Sequence, residues 1–171
     1  MEIALRLASL SDAPAIAAIY NQGIAARGAT FETTPRSTAD IEAWFQHADR
    51  YPTLVLEQGG TVVGWANLSA YRPRACYAGI AEFSIYVDPQ AHGRGLGRRL
   101  LEALVDTARE RGYWKLLSRI FAFNTASLAL CRRCGFREVG VYEKHGRLDG
   151  EWLDVVIVER VIPENLDTPP E

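Results

Sequence analysis

Apolar residues recur along the chain at two different periods, and the places where one period yields to the other predict the elements. Residues 3–7 (IALRL) read as a strand. Beyond it Ile16, Ile19, Tyr20 and Ile24 fall on one helical face, with Ser11 as the expected N-cap. A second helix is expected after Ser37, over 39–48. The β-rich runs 53–57 and 61–68 flank Gly59 and Gly60, which predicts a hairpin of antiparallel strands. Residues 80–87 (IAEFSIYV) form a longer strand that stops at Asp88-Pro89, with Phe83, Ile85 and Val87 on one face and Glu82, Ser84 and Tyr86 on the other. Leu96, Leu100, Leu101, Leu104 and Ala108 make the apolar stripe of a helix over 95–111, and Gly112 is placed to end it. A strand at 115–121, a helix at 125–134 and strands at 137–143 and 152–160 complete the order βααβββαβαββ. That order predicts an α/β (α+β mixed) domain, a mixed sheet covered by helices.

Composition narrows the function classes. The 171 residues suffice for one domain, expected over 1–162, followed by a tail at 163–171 whose Pro, Asp, Glu and Thr content predicts fraying. With 48% hydrophobic and 23% charged residues the chain has the apolar content to fold alone. Lys and Arg number 19 against 21 Asp and Glu, so the net charge of -2 gives no electrostatic basis for a nucleic-acid or anionic-membrane partner. The N-terminus lacks a basic start and an apolar run, and no stretch reaches the roughly 18 apolar residues of a bilayer span. Three cysteines, Cys76, Cys131 and Cys134, are too few for a disulfide framework, and a cytoplasmic location is the expectation.

Between the strand at 80–87 and the following helix lies Gln90-Ala91-His92-Gly93-Arg94-Gly95-Leu96-Gly97. Glycines there let backbone N–H groups point outward, and the helix dipole adds positive potential, a nest suited to a pyrophosphate. Arg94, Arg98 and Arg99 supply local charge. The spacing is neither that of a dinucleotide fold nor that of a P-loop, and a plain flexible connection with solvated arginines stands beside the phosphate reading.

Glu82 is an acid inside an apolar strand. Burial raises a carboxylate's proton affinity, as a base working near neutrality requires, while a solvated strand face is the bland alternative. Arg72 and Arg74 flank Pro73, which disfavours helix, so both guanidinia can face the same way and suit a carboxylate or a tetrahedral head group; two surface arginines are the alternative. Cys131 and Cys134 form a CxxC at helical spacing without further ligands, which reads as two small core residues rather than a zinc or redox site. His47, His92 and His145 have no mutual metal spacing, and no metal is expected.

The segment 90–97 resembles the Q/R-x-x-G-x-G/A motif of the GNAT superfamily of N-acetyltransferases, with Asn124-Thr125-Ala126-Ser127 and Gly135-Phe136 following in that family's order, over roughly residues 4–161. Within it the chain looks like the phosphinothricin and methionine sulfoximine acetyltransferase group. The features carrying that likeness are Phe31-Glu32 with Pro35, Arg50-Tyr51-Pro52, Tyr71-Arg72-Pro73-Arg74, Glu82 with Ser84-Ile85-Tyr86-Val87, and Lys144 with Gly150 and Trp152-Leu153-Asp154.

The resemblance implies a GNAT fold, a mostly antiparallel mixed sheet of about seven strands flanked by about four helices. It implies acetyl-CoA as co-substrate, held by strand residues Phe83, Ile85 and Val87, by the loop residues Gln90, His92, Gly93, Arg94 and Gly95, and by Leu96, Gly97 and Arg98 at the helix start. Asn124 and Ser127 are implied along the pantetheine arm. Glu82 takes the role of general base, directly or through water, and a strand N–H near Val87 that of oxyanion donor. Phe31, Glu32, Arg72, Arg74 and Tyr86 are implied around a small amine, with Phe31 as a wall and Glu32 receiving the ammonium.

The family's acid is often a Tyr four residues before the glycine of the Gly-Phe pair; here Cys131 stands there, and no general acid is assigned. His145 reads as a surface loop histidine, with an approach to the substrate pocket as the alternative. The expected substrate is an α-amino acid with an anionic or tetrahedral side-chain end, and the expected assembly a homodimer in which residues 152–161 approach the partner. A protein N-terminal acetyltransferase, a CoA-binding module without turnover and a redox protein are the competing readings.

Overall fold

The computed structural model describes residues 2–167. Strands β1 (Ile3–Leu7), β2 (Thr53–Gln58), β3 (Thr61–Ala70), β4 (Ile80–Val87), β5 (Lys115–Phe121), β6 (Arg137–Leu148) and β7 (Glu151–Val161) form one sheet in the order β1-β2-β3-β4-β5-β7-β6. All neighbours run antiparallel except β4 and β5, the one parallel pair. Helices α1 (Ala13–Ala26) and α2 (Thr38–Glu42) cover one face, where Ile16, Ile19 and Ile41 bury Val55 and Trp65. Helices α3 (Leu96–Glu110) and α4 (Thr125–Arg133) cover the other. The expected stripe of α3 is buried at all five positions, and each fully buried leucine stabilises the fold by about 1.5–3 kcal/mol. The order of elements and the mixed α/β class match the sequence reading.

Several boundaries differ, each for a local reason. Ser11 does not cap α1: the Asp12 carboxylate accepts the Ser9 N–H (2.7 Å) and closes a short 3-10 turn at Leu10–Asp12, after which α1 starts with Pro14 in its first turn. Ser37 does cap α2, accepting the Asp40 N–H at 3.1 Å, but the α-helix gives way to a 3-10 helix at Ala43–His47. Strand β6 continues past the expected stop at 143, because irregular pairing between Tyr142 and Gly146 absorbs the extra residues around Lys144, whose φ is 47°. The turn that joins β6 to β7 is Asp149-Gly150, both at positive φ. Past the expected domain end at 162, Asn165 donates to the Arg109 and Tyr113 carbonyls (2.9 and 2.8 Å), so the expected tail starts out docked on the end of α3. Its residues 168–171 lie outside the described residues.

One irregularity of the sheet positions the site. β4 and β5 pair only over Ile80–Glu82 and Lys115–Leu117, although both strands run on. Beyond Glu82 they diverge, and a gap opens along β4 toward Val87.

Candidate active site

The gap holds a cavity of 570 Å³ with a smaller one of 80 Å³ beside it. The larger is walled by Ile85, Tyr86 and Val87 of β4, by the turn after that strand, by α1 and by the start of α4. Ile85, Tyr86, Asn124, Ser127 and Leu130 line both, so the two are neighbours.

Backbone direction in β4 follows from one hydrogen bond. The Asp88 N–H donates to the Val63 carbonyl (2.8 Å), so by antiparallel alternation Tyr86, Ser84 and Glu82 spend their backbone groups on β3, while Val87, Ile85 and Phe83 turn theirs toward the gap. Two of the latter carbonyls are engaged: Phe83 accepts from Ser118 Oγ (2.9 Å), and Val87 accepts from His92 Nε2 (2.8 Å). A carbonyl only accepts, so the His92 proton is on Nε2. The Ile85 N–H and carbonyl and the Val87 N–H face the gap.

At the Val87 end the turn Gly93-Arg94-Gly95 leads into α3, with φ of 80° at Gly93 and 73° at Gly95. Only glycine holds such angles without strain. The Arg99 N–H is the first to find a helical partner, the Gly95 carbonyl, which leaves the N–H groups of Leu96, Gly97 and Arg98 directed out of the helix start. His92, Gly93, Gly95, Leu96 and Gly97 line the large cavity. Gln90, Arg94 and Arg98 do not: the Gln90 N–H is tied to Asp88, Arg94 donates to Gln58 (3.3 Å), and Arg98 pairs with Glu102 (2.8 Å). The groups facing the cavity here are backbone N–H donors, while Arg94, whose partner is a neutral amide, keeps its positive charge beside them.

Asn124 and Ser127 also line this cavity, yet Asn124 uses its side chain internally, capping α4 through the Ser127 N–H (3.2 Å) and donating to the Gly28 carbonyl (3.1 Å). Phe83 is a core residue packed on Phe136, and only its backbone reaches the gap. Tyr86 stacks on both Tyr20 and Trp65, which also touch each other, and burial pushes its hydroxyl well above the ordinary tyrosine range, so it stays protonated.

The Glu82 end is made of side chains. Glu82 lies where β4 and β5 part, its side chain 22% exposed, and it accepts a hydrogen bond from the guanidinium of Arg119 on β5. Sequence reasoning missed this partner, because the pairing depends on which strand lies beside β4; an Arg within the apolar run 115–121 was the available signal. The remaining expected substrate residues do not line either cavity. Phe31 packs edge-on to Phe121, with ring centroids 4.8 Å apart, and Glu32 is paired with Arg36 (3.1 Å). Arg72 and Arg74 are exposed in the connection from β3 to β4, Arg72 over the Tyr71 ring, at the Glu82 end of β4. His145 is exposed and stacks on Tyr142.

Cys131 borders the small cavity but is otherwise buried, and that burial, with Cys134 adding to it, pushes its thiol up to about 12. A coenzyme thiol near about 8.5 is the stronger acid of the two thiols. Both CxxC thiols are free and packed in the core.

Comparison with known proteins agrees with this geometry. The model of the Acetyltransferase (GNAT) family matches residues 18–136. The L-methionine sulfoximine/L-methionine sulfone acetyltransferase of Pseudomonas aeruginosa is 36% identical over 162 residues, 93% of this chain and 94% of that protein. Among solved structures, the phosphinothricin acetyltransferase of Sinorhizobium meliloti in complex with AcCoA superposes with a TM-score of 0.92 at 34% identity, covering 100% of this chain and 94% of that one. The ribosomal-protein-alanine N-acetyltransferase of Brucella melitensis gives 0.89 at 36% identity, over 93% and 99%. The chain belongs to the GNAT family of acetyltransferases.

Proposed function

We propose that the protein transfers the acetyl group of acetyl-CoA to the α-amine of a small amino acid of the phosphinothricin or methionine sulfoximine type. The observation that carries this reading is the open edge of β4, which joins the glycine turn at one end to Glu82 at the other over five residues, about 17 Å of strand.

The residues fit an acyl carrier. Outward N–H groups of Leu96, Gly97 and Arg98 suit its diphosphate, and the free Val87 N–H and Ile85 carbonyl suit the amides of its arm as an added strand would. When bound, acetyl-CoA supplies a thioester whose carbonyl is open to attack. Glu82 accepts the proton of the amine, directly or through a water, since only the neutral amine is a nucleophile and amines with pKa of about 8–10 are mostly protonated at pH 7. The Ile85 N–H, turned into the gap and nearer to Glu82 than the Val87 N–H expected from the sequence, donates to the oxygen on which negative charge develops. The thiolate leaves without an acid, as its low proton affinity allows.

Arg72 and Arg74 belong to the same reading as receptors for the polar end of the substrate side chain. The exposed apolar side chains Val139, Val141, Tyr142 and Trp152 on β6 and β7 support a homodimer joined through these strands, and the three free thiols support a cytoplasmic location.

The test is a thiol-release assay with acetyl-CoA against phosphinothricin, methionine sulfoximine, other free amino acids and a peptide with an N-terminal alanine. Turnover is expected with the first two and not with the peptide; turnover with the peptide alone would refute the substrate assignment.

A further inference from the structure

The residue closest to the proposed base is a cation that neither the glycine motif nor the substrate loop contains. Arg119 lies on β5 two residues beyond Leu117, the last residue paired with β4. Leu117 stands opposite Glu82, and side chains two apart in a strand share a face, so Arg119 projects on the Glu82 side of the sheet into the mouth of the gap. Its Nη2 donates to Glu82 Oε1, and it lines the small cavity beside Ser84, Ile85 and Tyr86. The Arg119 side chain is 52% exposed against 22% for that of Glu82, so Arg119 is the more open of the two to an incoming solute.

We infer that Arg119 is the receptor for the α-carboxylate of the substrate, and that the Arg119–Glu82 pair is the element that selects α-amino acids over plain amines. This rests on the reading of the chain as an amino-acid acetyltransferase. Arg119 takes up Oε1 of Glu82, and an ammonium that binds the other carboxylate oxygen shares Glu82 with that guanidinium. An amine without a carboxylate places a second cation beside Arg119 with one carboxylate between them. An α-amino acid brings the complementary pair: its ammonium goes to Glu82, and its carboxylate, on the adjacent carbon, goes to Arg119. One ion pair becomes two, and the planar fork of the guanidinium suits a carboxylate.

The neighbouring charges leave this task to Arg119. Glu32 is paired with Arg36 and Arg27 with Asp149, while Arg72 and Arg74 lie in the connection before β4. The α-carboxylate and the side-chain end of the substrate are thereby read by different arginines on different segments.

The experiment compares methionine sulfoximine with the amine obtained by removing its α-carboxyl group, on the wild type, Arg119→Ala and Arg119→Lys. Calorimetry measures binding without turnover, and the thiol-release assay measures kcat and KM separately. In the wild type the carboxylate is expected to improve binding and kcat/KM by on the order of 10²-fold, the scale of a charge-paired contact. Arg119→Ala should bring the two ligands within about threefold of each other, chiefly through KM, and Arg119→Lys should restore part of the difference. Acetyl-CoA affinity should be the same in all three proteins, which separates this role from a general loss of structure.

If Arg119→Ala keeps the full preference for the carboxylate, the inference is overturned while the proposed reaction stands. If carboxylate-dependent binding is present and lost in Arg119→Ala, yet no protein releases thiol with either ligand, the inference stands and the proposed reaction falls. A wild type indifferent to the carboxylate overturns the inference as well.

Discussion

The two ends of β4 are built from different materials. At the Val87 end the groups on offer are backbone N–H donors, held by two glycines at positive φ and by the first turn of α3, all within one short stretch of chain. At the Glu82 end they are side chains: Glu82 from β4, Arg119 from β5 and two arginines from the connection before β4. Backbone donors are the same whatever residue carries them, so the first end tolerates changes that keep its dihedral angles. A side-chain site depends on each member's functional group. Substitutions at the two ends should therefore fail in different ways.

The largest effect should follow Glu82→Gln. The amide keeps size and polarity but cannot accept the amine's proton, and kcat at pH 7 should fall about 10²–10⁴-fold with acetyl-CoA affinity nearly unchanged. Kinetics together with calorimetry on the variant make the check. Full activity across pH 6 to 8 would take Glu82 out of the mechanism and leave the side-chain end with recognition alone.

The opposite signature is expected at the other end from Gly95→Val. Space does not forbid the change, since a Cβ at Gly95 meets nothing within 4 Å. The dihedral does: a β-branched residue at φ of 73° costs of order 1–3 kcal/mol, and the turn relaxes by rotating its N–H groups away. KM for acetyl-CoA should rise about 10-fold or more, while the amine's KM moves little. A variant with unchanged acetyl-CoA affinity would show that these donors are not the phosphate receptor.

The same contrast explains what was legible in the sequence. The glycine turn, the α3 stripe and the alternation of β4 are local, since each follows from residues within a turn or a pleat of one another. The Arg119–Glu82 pair is not, because the two are 37 residues apart and meet only once the crossover through α3 lays β5 beside β4. Nor does a one-dimensional pattern reveal that β4 and β5 pair over three residues and then part, although this creates the cavity. The end of β6 at Leu148 is hidden for another reason. Asp149-Gly150 is a strong hairpin signal, but Lys144 and Gly146 look like an earlier break, and only the irregular pairing shows that the strand passes through them.

The smallest effect sharpens the comparison by testing a residue between the two ends. Cys131 borders the small cavity at the position where the family resemblance implies a tyrosine acid, and a thiol there invites the same role. Its surroundings argue otherwise. Burial pushes this thiol up to about 12, so it holds its proton more tightly than a coenzyme thiol of about 8.5 does. Cys131→Ala removes the proton altogether and should leave kcat within about twofold at every pH from 6 to 8, with a loss of about 1 kcal/mol in stability from the vacated sulfur volume. A fall in kcat of tenfold or more, with the folded state intact by thermal melting, would instead place a proton donor in the small cavity and add a third side chain to the chemistry at that end of the gap.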